Sequence, residues 1–424
     1  MNRLVKNMAI MSIAPIFTQT LSLMLVPIIT RYYSPEDFGM FSLYGSIITP
    51  FAVFANLGYG SAIVSAQSDD EASNLFTLNI FSTILFTLLS FIIFIIFNEE
   101  IGSFKNYASI KSYFWLIPIS ILIHGFYIAF RSLNIRLKGF NLISSSQIVK
   151  YISENSNNLM AAFTGFASGG LLIIGGLLGG ISSVSILSIN FWTETKNKII
   201  NDFSLNSLKY VALKYSKFPK YILPVDFVSR ISEQLPIYLL AIYFSQSIIG
   251  YYALGLRLLT MPISLIGGAI GDVFFQEASN DINNISNILE KIFYYLVLFA
   301  TSVFLFIGIL GEEIFYYILG NQWSEAGIFA QILSFYLFSK FITIPASYLM
   351  IIYEKQEYSL FLNLALIVLG SISLVIGGVM DDVYISLILF SILNSIIILT
   401  YGIGFMKYSG VKITRILKIL TSSL

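Results

Sequence analysis

The stretch YYSPEDFGMFSLYGSIIT, residues 32–49, returns later in the chain as YFSQSIIGYYALGLRLLT, residues 243–260. The two align at an offset of 211 residues, almost half of the 424-residue length. Tyr32, Ser34, Gly39, Leu43 and Thr49 match Tyr243, Ser245, Gly250, Leu254 and Thr260. A repeat at half the length predicts a chain made of two copies of one unit. The fold question then becomes what one unit contains.

Composition answers most of it. The chain is 56% hydrophobic and only 11% charged, where a soluble domain carries about 25% charged residues. A conventional soluble enzyme is excluded on that ground. Cysteine is absent and there is one histidine, so disulfides, thiolate sites and histidine-built metal sites are not expected. A membrane span needs about 20 apolar residues. Twelve stretches qualify, near 8–30, 40–65, 75–97, 112–133, 142–163, 166–190, 217–244, 247–275, 288–310, 326–352, 357–379 and 384–406. The first is read as a span and not a signal peptide, because no small-residue cleavage site follows it.

With the N-terminus cytoplasmic, seventeen of the 24 Lys and Arg fall on inner flanks and loops and three on outer loops. That is a strong positive-inside bias. One inner loop, QSDDEASN at 67–74, is acidic instead. The expected organisation is an N-lobe at 1–200, a cytoplasmic linker at 201–216 and a C-lobe at 217–424, with six spans in each lobe. An even number of spans per copy keeps both copies in one orientation, a parallel repeat whose substrate site is expected at the repeat interface.

The sixth span sets Gly175 four before Gly179 and Gly176 four before Gly180. Small residues at this spacing let helices approach closely. Pro15, Pro27, Pro50, Pro118, Pro224, Pro236, Pro262 and Pro345 lie within or at the ends of spans, where each removes an amide donor and can kink its helix.

The remaining four cations, Lys150, Arg230, Arg257 and Lys340, sit inside spans. A cation at bilayer depth is costly and persists facing a water-filled cavity, a counter-charge or an anionic cargo. Arg257 lies roughly 15 Å into its span. Asp226, Arg230 and Glu233 share one helical face, and so do Gln147, Lys150, Glu154 and Asn158. Pairing inside those stripes, Lys150 with Glu154 and Asp226 with Arg230, is the alternative to a cargo site. Arg257 and Lys340 have no acid at i±3 or i±4. His124, mid-span, is either a packing residue or a proton carrier. His124, Glu154 and Asp226 are thus the candidates for ion coupling. No phosphate loop of the form GxxxxGK[ST] is present. No outer loop exceeds about 16 residues, which argues against membrane glycosyltransferases. No catalytic residue, metal, cofactor or nucleic-acid partner is expected.

Two stretches carry a family resemblance. YYSPEDFGMFSLYGSIITPFAVFANLGYGSAIVSAQSDDEASNLF (32–76) and IIGYYALGLRLLTMPISLIGGAIGDVFFQEAS (248–279) resemble the first hairpins of the two halves of Wzx-type O-antigen and polysaccharide flippases. These belong to the multidrug/oligosaccharidyl-lipid/polysaccharide exporter superfamily. The resemblance implies an all-α polytopic membrane protein with two six-helix lobes, V-shaped around a central cavity. It implies a flippase, not an enzyme, that carries undecaprenyl-diphosphate-linked oligosaccharide across a bacterial inner membrane by alternating access. Both termini would be cytoplasmic and a proton or sodium gradient would be the candidate drive. A polysaccharide polymerase and a chain-length regulator would be candidate partners, beside membrane lipids. Related flippases line the cavity with basic residues that engage the diphosphate. Arg257 occupies the family-like GYYALGLR motif; Arg230, Lys340 and Lys150 join it as cavity cations by depth and chemistry. The competing readings are a cation-coupled multidrug exporter of the same superfamily and a membrane glycan polymerase or ligase.

Overall fold

The computed structural model describes residues 3–97, 99–100, 106–195, 204–263, 285–353, 355 and 357–411. Among them there is no strand. The helices are α1 (Arg3–Ile29), α2 (Pro35–Asn56), α3 (Tyr59–Ser65), α4 (Asp69–Ile96), α5 (Leu116–Arg136), α6 (Phe140–Phe163) and α7 (Gly169–Leu187). Then follow α8 (Leu205–Lys214), α9 (Leu223–Tyr243), α10 (Gln246–Pro262), α11 (Ile285–Leu319), α12 (Ser324–Ile342), α13 (Ile344–Ile352), α14 (Glu357–Val379) and α15 (Val383–Tyr408). Nine of the described helices are long and apolar enough to cross a membrane. Two helices of sufficient length fall short in apolarity, α6 and α9, and they carry Lys150 and Arg230. The chain is therefore an all-α polytopic membrane protein, and two of its four intramembrane cations sit on its less apolar helices.

The internal repeat has a structural counterpart. α2 and α10 begin 211 residues apart, and their N-cap residues Ser34 and Ser245 share one backbone conformation, φ −77° and ψ 163°. Only the first copy is a full capping box. Ser34 Oγ accepts from Asp37 N at 3.2 Å, and Asp37 Oδ2 accepts from Ser34 N at 2.9 Å. The other oxygen, Asp37 Oδ1, accepts from Gly169 N at 2.6 Å, so one carboxylate satisfies amides at the starts of α2 and α7.

Two expected spans are broken. The stretch 40–65 divides at Leu57 and Gly58, both left-handed with φ 48° and 75°, where Asn56 Oδ1 accepts from Gly58 N at 2.9 Å. The stretch 326–352 divides at Thr343, two residues before Pro345, which cannot continue the amide ladder.

The chain forms two compact units, Met1–Ile231 and Ser232–Leu424, with the boundary inside α9. In the first unit α7 packs along α6, α4 along α5, and α1 against α6. The glycine repeat of α7 serves two neighbours. A Cβ on Gly179 would lie 2.8 Å from Lys150 O and 3.1 Å from Glu154 Cβ of α6, whereas Gly180 faces Ile123 of α5 and Gly176 faces Phe41 of α2. One core cluster gathers Tyr59, Ile63, Leu75, Phe76 and Leu133 with Val211 and Tyr215, at the end of the unit expected to face inward. So α8, in the segment expected as a linker, is seated on the first unit. In the second unit α11 packs against α12 through Gly311 and Gly327, where a Cβ on Gly327 would stand 2.5 Å from Gly311 O. A second cluster joins Ile285, Leu289, Leu349, Met350, Phe405 and Met406. Leu85, Ile95 and Ile96 of α4 remain exposed, as a lipid-facing surface requires.

Polar residues expected on one side of the membrane meet one another. Lys111 bonds Glu99 at 2.7 Å and Ser324 donates to Glu312 at 3.0 Å among the expected outer groups. Among the expected inner ones Arg136 bonds Asp69 at 2.8 Å, and Lys214 and Tyr215 both bond Glu71. The acidic loop that departs from the positive-inside pattern is thus matched by bases from α5 and α8. Its Ser68 also caps α4, whose first turn holds Asp69, Asp70 and Glu71 where the helix dipole favours negative charge.

Candidate functional site

The first unit contains a cavity of about 270 Å³ among α2, α5, α6 and α7. Its wall includes Lys150, His124, Tyr44, Tyr127, Phe41 and Ser183. Sequence reasoning named the first two and passed over the others. They come from helices far apart in the chain, and only packing brings them together.

Lys150 reaches this cavity because of the α6–α7 seam. Gly175 and Gly179 draw α7 so close to α6 that the Lys150 and Glu154 backbones lie against it. Asn157 Nδ2 fixes the seam by donating to Leu171 O at 2.9 Å, and Tyr33 Oη donates to Asn158 O at 2.9 Å. The expected stripe Gln147, Lys150, Glu154, Asn158 therefore splits: Asn158 is buried in the seam and Lys150 is exposed. Among the described residues Lys150 and Glu154 make no ion pair, either with each other or with a third group. The i, i+4 spacing permitted the pair; the structure does not use it.

The opposite wall is polar in a selective way. Tyr44 Oη and Ser120 Oγ are hydrogen-bonded at 2.7 Å. Ser183 Oγ is buried and has no hydrogen-bond partner among the described residues, a state that costs about 1–3 kcal/mol unless water or a ligand satisfies it. His124 is exposed to the cavity, its ring 6.4 Å from that of Tyr127. Lys150 and Arg230 both lie within electrostatic reach of His124. Arg230 arrives on the first half of α9, which is held beside α2 by Phe227 on Phe54 at 4.8 Å. It also acts electrostatically on Asp226, one turn earlier. Asp226, Arg230 and Glu233 are all exposed, which agrees with their shared helical face. So the structure gathers Lys150, His124 and Arg230 into one basic region.

Arg257 and Lys340 belong to the second unit, on α10 and α12, which pack against each other. Gly255 makes the close approach, its would-be Cβ 3.1 Å from Ala326 O. Arg257 lies roughly 200° further round α10 and is half-buried. Lys340 is exposed and sits in the last turn of α12, just before the break at Thr343. A helix C-terminus favours a cation there. Neither Arg257 nor Lys340 has an ion-pair partner among the described residues. No cluster of three or more His, Cys, Asp or Glu that could hold a metal occurs among the described residues.

Residues 28–328 match the family model described as polysaccharide biosynthesis protein. No curated protein matches significantly in sequence. Solved structures share the fold. The lipid II flippase MurJ, in an inward closed conformation, aligns with TM-score 0.75 at 16% identity, over 96% of this chain and 89% of that one. An inward-facing multidrug resistance MATE transporter aligns with TM-score 0.72 at 14% identity, over 98% and 99%. A transporter of the same superfamily from Pyrococcus furiosus, described as having a binding pocket of reversed polarity, aligns with TM-score 0.62 at 15% identity, over 97% and 95%.

Proposed function

Because this chain belongs to the polysaccharide biosynthesis protein family, we propose that it is a flippase. Its cargo on this reading is an oligosaccharide linked through a diphosphate to undecaprenol, moved between the leaflets of a bacterial inner membrane by alternating access. The observation that carries the reading is Lys150: an exposed ammonium on a cavity walled by spanning helices, with no ion-pair partner among the described residues. A charge in that position calls for an anion. A diphosphate cannot cross hydrocarbon unaided, and cations in a hydrated, low-dielectric cavity replace its lost solvation.

Lys150 and Arg230 would serve as the cations of the first compact unit, Arg257 and Lys340 as those of the second. Arginine grips a phosphate by two hydrogen bonds at once, where lysine acts as a point charge. The isoprenoid tail would stay in lipid. Glu154, free of an ion pair among the described residues, supports coupling to a proton or sodium ion, with His124 and Asp226 as further carriers. Both termini would be cytoplasmic, and a polymerase and chain-length regulator would take up the delivered repeat units.

The test is complementation of a flippase-deficient strain, with surface glycan as the readout and membrane protein level as the control. Arg257→Ala and Lys150→Ala should each abolish surface glycan at normal expression, and Arg257→Lys should keep part of it. Full surface glycan in both alanine variants would overturn the assignment of these cations.

A further inference from the structure

The two faces of α8 have opposite surroundings. Leu208, Val211 and the following Tyr215 recur at helical spacing and are buried in the inner-end core. Roughly 130° away on the helical wheel lie Leu205, Lys209 and Leu213, with Asn206 and Tyr210 on the same exposed side. Leu205 is 75% exposed, Leu213 66% and Tyr210 57%. A helix lying against water carries polar residues on such a face; this one carries two leucines and a tyrosine.

Charge sharpens the choice of partner. Residues 204–225 contain four lysines, Lys209, Lys214, Lys217 and Lys220, and no acid. Lys214 is already engaged, donating to Gln67 Oε1 at 2.8 Å and to Glu71. Lys209, Lys217 and Lys220 are exposed and make no ion pair among the described residues. Depth follows from the same bonds. Lys214 and Tyr215 hold Glu71 in the first turn of α4, and Tyr215 Oη also accepts from Gln67 N at 3.1 Å. So α8 lies at the level where α4 enters the bilayer. An apolar strip flanked by cations at that level fits the boundary between headgroups and acyl chains.

We propose that the outward face of α8 docks on the anionic phospholipid headgroups of the leaflet it adjoins. Leu205, Tyr210 and Leu213 enter the headgroup boundary, and Lys209, Lys217 and Lys220 meet the phosphates. The inference is independent of the cargo.

The chain has no cysteine, so Leu213→Cys in the full-length protein gives a unique spin-label position. In vesicles containing phosphatidylglycerol the label should collide with oxygen in preference to an aqueous nickel complex. In pure phosphatidylcholine the preference should weaken. The triple variant Lys209→Gln, Lys217→Gln, Lys220→Gln keeps Lys214 and hence the seat of α8. Purified in detergent, it should retain phosphatidylglycerol about fivefold more weakly per lysine removed, while its melting temperature stays unchanged. A label that favours the aqueous reagent in phosphatidylglycerol vesicles, or unaltered phosphatidylglycerol retention by the triple variant, overturns the proposal. A label shielded from both reagents in native membrane vesicles but water-exposed in phosphatidylglycerol vesicles would show a protein occupant and overturn it as well.

Discussion

Replacing Gly179 by alanine tests the seam that positions Lys150. The added Cβ would stand 2.8 Å from Lys150 O and 3.1 Å from Glu154 Cβ. Ordinary carbon contacts need about 3.5 Å, so α6 and α7 must part by about 0.4–0.7 Å. The obstructing atom is backbone, which cannot swing aside. A gap of 0.5–1 Å forfeits about a quarter to a half of each dispersion contact along the seam, and overpacking typically costs about 1–3 kcal/mol. The folding unit involved spans Met1–Ile231, for which each kcal/mol lowers the melting temperature by about 2–4 °C. Gly179→Ala should therefore melt about 2–12 °C below the parent in a detergent thermal-shift assay, and Gly179→Val further still. The control is one turn away. A Cβ on Gly176 meets only Phe41 Cε2 at 3.6 Å, an ordinary contact, so Gly176→Ala should be neutral within about 0.5 kcal/mol. Equal melting temperatures for the two alanine variants would refute the argument that Gly179 sets the helix separation.

Asp37→Ala removes the acceptor for Ser34 N and Gly169 N together and should cost about 1–3 kcal/mol by chemical or thermal melting; no measurable loss would mean that water replaces the carboxylate. Gly58→Ala places a side chain at φ 75° and 3.3 Å from Phe218 O, and should cost about 1–2 kcal/mol, read in the same assay. The bond to Glu71 raises the Lys214 pKa above the ordinary 10.5. Its contribution to seating α8 is full below that pH and is lost as the pH rises through the raised value. A spin label at Leu213→Cys should therefore keep its mobility from pH 7 to the ordinary lysine value of 10.5 and loosen only above it, whereas the Glu71→Gln variant should lose that transition. Periplasmic reporters fused at residues 105, 313 and 381 should be active; a cytoplasmic signal at any of them breaks the twelve-span topology.

The architecture was legible because hydropathy, charge alternation and the repeat are properties of consecutive residues. The small-residue motif was legible for the same reason, and it lies where α7 meets α6. What escaped was long-range. Nothing near Asp37 announces that its second oxygen accepts from Gly169, 132 residues away. The spacing of Lys150 and Glu154 offered a salt bridge without deciding it. Tyr44 and Ser183 share a cavity with Lys150 only because α2, α6 and α7 converge. The break at Leu57 was hidden too, since leucine is an uncommon residue at positive φ.

The seating of α8 has a consequence for how the protein is made. The core that buries Val211 and Tyr215 draws on no residue beyond Phe218. It can close before the ribosome has added the second occurrence of the repeated stretch, residues 243–260. The connecting segment is then fastened before α10 exists. Each later helix then follows a segment that is already anchored on the first unit.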